Sequence, residues 1–445
     1  MRFRVEASFA AAVLVLPVIS AATGCSSDES SSWPHGAAQD ASPDSDAMVA
    51  DVADGSSKGG SAGTGGAPTG GSAGTGGTPD AGGSAGTGGD PNFTPDGCFK
   101  WAAQPALSLE QATAQHECVE VQPGTFVLDA PVPLSPGHTL RGVSADASIL
   151  VANQATWSFG CCDSMITDTL PATPQDNPFH VQKLTLDGAG VATYNVCCRG
   201  YVAEGVVMKS SRCSALGIVG RGVEARNNTM QGSAQHTNVP GKGLISCASG
   251  GTGGVDEGAA IYSQGTGDDY ACVIEGNTIE TSYGPALDVN GAWGGIFRNN
   301  IVSANSAWAA VSLYGASNWL IENNQISHPN DQPPQPYHPY CATGPAGGHS
   351  AGIFLCQDTD QDNLVTNNNT IRGNKTASYY GILSVGADEV KPYFAPRNNT
   401  FENNDVFGSN FGCADDFKPG QWMTDGNTWS GNNCEGTPNT GPATF

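Results

Sequence analysis

Short apolar stretches alternate with one recurring polar phrase over the second half of the chain. The phrase is Asn-Asn or Gly-Asn followed by Thr, Ile or Gln, and its second Asn falls at positions 228, 277, 300, 324, 369, 399 and 427. The two shortest intervals are 23 and 24 residues. A fixed period of this size predicts a solenoid, in which each repeat buries its apolar face only against its neighbours.

Most Asn phrases follow a stretch that alternates with the period of a β-strand, at 216–220, 260–264, 286–290, 310–314, 352–356 and 381–385. Alternation predicts one residue of each stretch inside the solenoid, namely Ile218, Ile261, Leu287, Val311, Ile353 and Ile382. The next residue is predicted to point outward, giving Val219, Tyr262, Asp288, Ser312, Phe354 and Leu383. Because stacked strands lie about 4.8 Å apart, equivalent residues of successive coils form columns.

The repeated Asn is predicted to stack inside a turn, where each side-chain amide bonds to that of the next coil. Two residues before it stand Arg226, Glu275, Arg298, Glu322, Asn367, Arg397 and Asp425. The sign of the charge alternates over the first four, as in a ladder of ion pairs between strands. We therefore assign the arginines of this series to structure and not to catalysis.

The entrance to the repeats has an order of its own. A predicted amphipathic helix at 107–116 precedes Pro-Gly-Thr-Phe at 123–126 and His-Thr-Leu-Arg-Gly at 138–142. This order resembles the start of pectin-lyase-like right-handed parallel β-helices, and the Asn-Asn-x-Ile phrases resemble the repeat of that superfamily. The resemblance covers about residues 120–430. It implies an all-β fold, a single-stranded right-handed parallel β-helix with a short N-terminal capping helix.

Composition divides the chain into three segments. Residues 1–24 hold two arginines ahead of an apolar run that is too short to span a bilayer, which predicts a signal peptide. The sequence Ala-Ala-Thr-Gly-Cys that ends at Cys25 resembles a bacterial lipobox, so we expect a lipid anchor on Cys25; cleavage just upstream by an ordinary signal peptidase is the alternative. The composition of residues 25–97, rich in Gly, Ser and Thr, predicts a disordered tether. Residues 98–445 are predicted to form the β-helix domain.

These segments predict an exported protein, either a lipoprotein anchored to the outer membrane or an extracellular protein. Contact with the membrane is expected only through the lipid anchor. The net charge of −24, from 18 basic and 42 acidic residues, repels nucleic acid and anionic lipid. It also disfavours polyanionic substrates unless a cation mediates their binding.

Thirteen of the 14 cysteines lie from Cys98 onward, which is typical of an oxidising compartment. Connectivity cannot be deduced from sequence. The pairs considered are Cys98–Cys118, Cys247–Cys272, Cys341–Cys356, Cys413–Cys434 and a link between Cys161-Cys162 and Cys197-Cys198. An odd count leaves one thiol over, for which Cys213 is the candidate. Zinc binding is the alternative, although the spacing of two CxxC or CxxH pairs is absent.

Two connections between an Asn phrase and the next strand are long, at 231–258 and 327–350, while the two between them are short. Insertions at corresponding corners of a solenoid emerge on one side, often the binding side. They would form the walls of a cleft whose predicted floor is Tyr262, Gln264, Asp288, Asn290, Ser312 and Tyr314. Phenol rings and amides on a rigid face favour polysaccharide binding.

The predicted binding residues are Tyr262, Gln264, Asn290, Ser312 and His338; the predicted catalytic residues are Asp288, Tyr314, His349, Asp256 and Glu257. A glycoside hydrolase would pair Asp288 with an acid from Asp256, Glu257 or the Asp268-Asp269 turn. A polysaccharide lyase or an epimerase would use a base such as Tyr314, His338 or His349. The sequence lacks the Asn-Thr-Asp and Arg-x-Lys motifs of polygalacturonase-like proteins. Whether the protein is an enzyme therefore stays open.

Three carboxylates, Asp358, Asp360 and Asp362, are spaced like the start of a calcium-binding loop. Position six of such a loop is Asn363 and position twelve is Asn369, so a solvated acidic turn competes with Ca²⁺. The leading functional hypothesis is a surface or secreted protein that binds or processes extracellular polysaccharide. The alternative is a non-catalytic adhesion or structural lipoprotein.

Overall fold

The structure is a computed structural model that describes residues 90–102, 107–158, 163–169, 177–233, 237–241, 243–245, 260–265, 269–281, 284–304, 309–328, 351–356, 365–385, 396–416 and 426–435. Its strands stack in parallel into three faces of one solenoid. Face 1 consists of β1 (Phe99–Trp101), β2 (Cys118–Val121), β5 (Thr139–Gly142), β8 (Phe179–Gln182), β11 (Tyr201–Glu204), β14 (Glu224–Arg226), β19 (Asp269–Glu275), β22 (Trp293–Arg298), β25 (Ser317–Glu322), β28 (Thr370–Arg372), β30 (Thr400–Glu402) and β32 (Thr428–Ser430).

Face 2 consists of β3 (Gly124–Leu128), β6 (Ser148–Ala152), β9 (Thr185–Asp187), β12 (Val207–Lys209), β15 (Thr229–Ser233), β20 (Thr278–Thr281), β23 (Ile301–Ser303), β26 (Gln325–Ser327), β29 (Lys375–Val385), β31 (Asp405–Asp416) and β33 (Asn433–Glu435). Face 3 consists of β4 (Val132–Leu134), β7 (Ser164–Asp168), β10 (Tyr194–Val196), β13 (Ser214–Ile218), β18 (Ile261–Gln264), β21 (Leu287–Asn290), β24 (Ala309–Tyr314) and β27 (Ala351–Cys356). The long strands β29 and β31 continue from face 2 into face 3. A small antiparallel hairpin joins β16 (Thr237–Val239) to β17 (Gly243–Ile245).

The predicted inward column is confirmed from Ile261 onward. The fully buried residues Ile261, Leu287, Val311, Ile353 and Ile382 pair in one register. In the preceding coil Ile218 is buried in the core as predicted, but Leu216 and not Ile218 aligns with Ile261. Both residues are apolar and two apart, so alternation alone does not distinguish the two registers.

The predicted capping helix is present as α1 (Leu109–Gln115). It begins with a capping box, in which Ser108 Oγ accepts from the backbone N–H of Gln111 at 3.2 Å and Gln111 Oε1 accepts from that of Ser108 at 3.0 Å. Leu109 and Ala112 are buried against the first strands. The helix therefore covers the apolar N-terminal end of the solenoid.

The predicted asparagine ladder runs along the turn between face 1 and face 2, through Asn228, Asn277, Asn300, Asn324, Asn374, Asn404 and Asn432. At each step one Oδ1 accepts from the backbone N–H and the Nδ2 of the preceding member at 2.8–3.0 Å. Each Nδ2 also donates to a backbone carbonyl. The residue before each ladder Asn has positive φ, which explains why it is Asn or Gly.

The predicted membership of this ladder is wrong for Asn369, Asn399 and Asn427. These residues form a second ladder at the turn between face 3 and face 1, with Oδ1 of Asn399 accepting from Nδ2 of Asn369 at 2.9 Å. The ladder starts at the backbone N–H of Trp319, which donates to Asn369. In these coils the Asn phrase occurs twice, five residues apart, and the sequence analysis followed the first copy.

The charge ladder is confirmed in its first part. Arg226 Nη1 and Arg298 Nε lie 2.6 and 3.0 Å from the carboxylate oxygens of Glu275. Arg298 and Arg226 hold the pKa of Glu275 below its usual value, with the Arg298 hydrogen bond as the larger cause. Both arginines therefore form ion pairs between neighbouring strands, as the charge pattern predicts.

The later members of the charge ladder differ from the prediction. Arg372 lies 2.7 Å from Glu322 and aligns with Glu402 on the next coil. These residues take the places predicted for Asn367 and Arg397, which instead bridge each other at the start of the same coils. The strict alternation of sign thus continues through six coils.

Two of the considered disulfides are present, Cys98–Cys118 and Cys413–Cys434. Three other cysteine predictions are wrong. Cys197 bonds to its neighbour Cys198 and not to the Cys161-Cys162 pair, and Cys213, predicted to keep its thiol, is disulfide-bonded. Cys272, predicted to pair with Cys247, carries a buried thiol. Cys356 is also disulfide-bonded. The proposed Cys341 partner stays a prediction.

Candidate functional site

Face 3 carries the predicted floor as two columns. The first is Tyr262, Asp288 and Ser312, and the second is Gln264, Asn290 and Tyr314. The intervening residues of β21, Leu287 and Val289, belong to the core, so Asp288 and Asn290 stand on the outer side of the strand. The predicted register of the floor is therefore confirmed.

Asp288 is a buried acid on this face, with 9% of its surface exposed. Its Oδ1 makes no hydrogen bond to any residue that the structure describes. Burial raises the pKa of Asp288 to about 6; the nearby Ser312 hydroxyl opposes part of this shift, although its geometry falls short of a hydrogen bond. A carboxyl that titrates near neutrality can both donate and accept a proton at working pH.

Exposure differs along the floor. Tyr262 and Asn290 are half-buried, whereas Ser312 and Tyr314 are buried. The prediction of an open floor is therefore wrong at Ser312, Tyr314 and, for the most part, Asp288. Alternation determines which side of a strand a residue faces, but it carries no information on what covers that side.

The two long connections leave from one corner of the solenoid. They run from β15 to β18 and from β26 to β27, and both join face 2 to face 3, as do the two short ones between them. The hairpin β16–β17 lies in the first connection, and its Thr237 contacts Gly190 at the same corner two coils earlier. Val239 of the hairpin is buried. The first connection therefore folds back over preceding coils in this part.

Several predicted site residues lie outside the described residues: Cys25, Asp256, Glu257, His338, His349, Asp358, Asp360 and Asp362. Of Gln264 only the backbone is described. In the described ranges no three His, Cys, Asp or Glu side chains are grouped as a metal site would require. The helix found there is also too short to cross a bilayer.

Sequence analysis missed that the Asp288 column continues toward the N-terminus. Gly217 pairs with Tyr262, and a Cβ on Gly217 would lie 2.8 Å from Sγ of Cys197. The disulfide between Cys197 and Cys198 therefore borders the same face. The adjacent cysteines at 197–198 are visible in the sequence and could have indicated this. However, the predicted register aligned Ile218 instead of Leu216 with Ile261, so Cys197 was not assigned to the column of Asp288.

This chain was compared with protein families, curated sequences and solved structures. Residues 218–437 match the family model described as right-handed beta helix region. A search of curated protein sequences found no match. Among solved structures, ORF18 of Geobacillus virus E2 is similar at 10% identity and a TM-score of 0.42, covering 71% of this chain and 52% of that one. The chain thus spans about half the length of that protein.

Two further solved structures are similar. The A-module of the mannuronan C-5 epimerase AlgE4 from Azotobacter vinelandii has 13% identity and a TM-score of 0.33, covering 70% of this chain and 91% of that one. The catalytic unit of the GH87 alpha-1,3-glucanase from Streptomyces thermodiastaticus strain HF3-3 has 13% identity and a TM-score of 0.33, covering 77% and 70%. A fold alone specifies no reaction, since one scaffold hosts many activities.

With its three parallel faces and its matching repeat region, the chain is a right-handed parallel β-helix protein.

Proposed function

We propose that this protein binds and processes an extracellular polysaccharide on face 3, with Asp288 exchanging a proton with the bound sugar. The observation that carries the proposal is the state of Asp288, a buried carboxyl on an outer face whose Oδ1 has no hydrogen bond within the described ranges. Buried polar groups are normally satisfied, so an unsatisfied one next to a partly open surface is a candidate for ligand contact.

The neighbours of Asp288 favour a sugar as that ligand. Tyr262 offers a half-buried ring one coil before Asp288, and Asn290 offers an amide two residues after it. Rings stack on the apolar faces of pyranoses, and amides bond to hydroxyl groups. The net charge of −24 favours a neutral glycan over a polyanionic one.

The pKa of about 6 determines what Asp288 can do. At neutral pH a fraction of the carboxyl is protonated and can act as an acid, while the ionised fraction can act as a base. Hydrolysis requires a second carboxylate, for which Asp256 and Glu257 are the candidates. Lyase or epimerase chemistry instead requires a base beside the sugar ring, for which His338 and His349 are the candidates, since Tyr314 is buried.

The proposal includes the location. Residues 1–24 direct export, Cys25 carries the lipid, and the tether at 25–97 holds the β-helix away from the membrane. Polysaccharide outside the cell is then within reach of face 3. Calcium at Asp358, Asp360 and Asp362 is included as an optional cofactor.

The test is a panel of neutral and uronic polysaccharides offered to the purified protein, with Ca²⁺ or with a chelator. Binding is measured by affinity electrophoresis, and products are measured by chromatography and mass spectrometry. We expect one polymer to bind and to be altered, and we expect Asp288→Asn to reduce turnover at least about a hundredfold with binding retained. Asp405→Asn, at an exposed position on face 2, is the matched control and should leave turnover unchanged.

The second candidate function is a non-catalytic adhesion or structural role. The burial of Ser312 and Tyr314 favours it, because covered floor residues cannot contact a substrate. Absence of binding and of product over the whole panel would establish this alternative against the proposal. Full turnover by Asp288→Asn would remove Asp288 from the mechanism.

A further inference from the structure

A disulfide between adjacent residues, Cys197–Cys198, stands where face 3 turns toward face 1. Cys197 is buried, whereas Cys198 is half-buried and faces solvent in part. Val219, whose backbone N–H donates to the carbonyl of Cys198 at 2.9 Å, is 44% exposed. Sulfur is apolar and polarisable, so Cys198 and Val219 together present an apolar surface at this corner.

The surface lies in line with Asp288. Val196 pairs with Leu216, Leu216 with Ile261, and Ile261 with Leu287, so Cys197 is three coils from Asp288. At about 4.8 Å per coil the separation is about 14 Å along the solenoid axis. Gly217 and Tyr262 occupy the two coils between them.

Gly217 is buried beneath the disulfide at this point of the column. A Cβ there would lie 2.8 Å from Sγ of Cys197 and 3.0 Å from the ring of Tyr194. Any larger residue would displace the disulfide or the ring. The sequence therefore keeps the disulfide close to the strand, at the level of the column that leads to Asp288.

A polar pair borders the disulfide. Arg199 follows Cys198 directly, and its Nε lies 3.8 Å from Oδ2 of Asp168, whose side chain is 8% exposed. Neither Oδ2 of Asp168 nor Nη1 of Arg199 has a hydrogen bond to a described residue. The Asp168 side chain is buried and that of Arg199 is 23% exposed, and each has one polar atom without a hydrogen bond. Beside an apolar surface, such a pair offers an acceptor and a donor to a bound molecule.

We infer that the Cys197–Cys198 disulfide, Val219 and the Asp168–Arg199 pair form a second sugar subsite, into which a glycan bound at Asp288 extends along the solenoid axis. The inference rests on the proposed function and deepens it, because it gives the direction in which the polymer runs and the length of chain that is bound. The disulfide and Val219 contact one face of a pyranose. Arg199 and Asp168 bond to its hydroxyl groups.

The test compares a short and a long oligosaccharide cut from the polysaccharide of the panel that binds best. Affinities are measured by titration calorimetry on the full chain. Wild type should bind the long oligosaccharide more tightly than the short one. Val219→Asp should weaken binding of the long oligosaccharide about tenfold and leave the short one unchanged. Val143→Asp, at a position that is 48% exposed next to face 1, is the matched control and should change neither affinity.

A double variant, Cys197→Ser with Cys198→Ser, removes the disulfide itself and should reproduce the selective loss. If this variant does not fold, Val219→Asp and Arg199→Gln decide. Equal affinities of wild type and Val219→Asp for the long oligosaccharide overturn the subsite while leaving the proposed function intact. Failure of wild type to bind any glycan overturns both.

Discussion

The asparagine ladder and the Asp288 face both bury polar side chains, but they treat them in opposite ways. Inside the ladder each Oδ1 accepts two hydrogen bonds and each Nδ2 donates two. On face 3, Oδ1 of Asp288 and Oγ of Ser312 have no hydrogen-bond partner in the described ranges. Buried groups that are satisfied stabilise a structure, whereas unsatisfied ones reduce stability. The ladder therefore stabilises the fold, whereas Asp288 lowers stability at neutral pH and is the residue on which the proposed function rests.

The largest expected effect comes from interrupting the ladder. Asn300→Ala removes the Oδ1 that accepts from both the backbone N–H and Nδ2 of Asn277. Two buried donors are then left without acceptors, and we expect the free energy of unfolding to fall by about 4 kcal/mol. Urea unfolding followed by circular dichroism measures the change.

The residue next to it serves as the matched control. Asn299 is exposed and has φ of 55°, a conformation that glycine adopts without strain. Asn299→Gly should change the free energy of unfolding by less than about 1 kcal/mol. If both variants lose the same amount, the ladder does not carry the stability ascribed to it.

The second expected effect is on the pH dependence of stability, and it is smaller. Replacing Asp288 should raise the free energy of unfolding at neutral pH, whereas Asn300→Ala should lower it. The pKa of Asp288 is raised from 3.8 to about 6, so the folded state binds its proton more tightly than the unfolded state. Stability from this group is present in full below pH 3.8 and is lost as pH rises through about 6. The loss amounts to about 3 kcal/mol.

Asp288→Asn removes this titration. At pH 7 we expect the variant to be more stable than wild type by up to about 3 kcal/mol, and at pH 4 the two should be nearly equal. Asp405→Asn should follow the wild-type profile. A variant that is less stable than wild type at pH 7 would show that Asp288 is held by bonds and would remove the contrast with the ladder.

The fold could be predicted from the sequence because the ladder residues recur at a regular spacing. Asn277, Asn300 and Asn324 stand at nearly constant spacing, so both the solenoid and the stacking of amides were predictable. The charge sign before each ladder residue held further information. Its alternation continues through Arg372 and Glu402, and following it would have placed the later coils in the correct register.

The site was less predictable, for a physical reason. Alternation correctly placed Asp288 on the outer side of β21, but burial of that side depends on segments far away in sequence. The same limit applies to the adjacent cysteines, because Cys197 bonds to Cys198 and not to the second Cys-Cys pair. Local sequence patterns predict the strands of each coil. Predicting a site also requires knowing which distant segments cover the outer side of those strands.

The smallest expected effect is in the charge ladder, which is the exposed counterpart of the asparagine ladder. Glu275 accepts from Arg226 and Arg298 at the surface of face 1. Exposed ion pairs contribute little, so Glu275→Gln should reduce the free energy of unfolding by about 0.5–1 kcal/mol at low salt. Because salt screens such pairs, the difference from wild type should disappear at about 1 M NaCl.

Glu280→Gln, at an exposed position on face 2, is the control for loss of a negative charge. In a chain with net charge −24, removing any carboxylate relieves some repulsion, so this variant should be neutral or slightly stabilised. The difference between the two variants then isolates the ion pairs of Glu275. A loss in Glu275→Gln as large as in Asn300→Ala would mean that the surface ladder and not the buried one holds the coils in register.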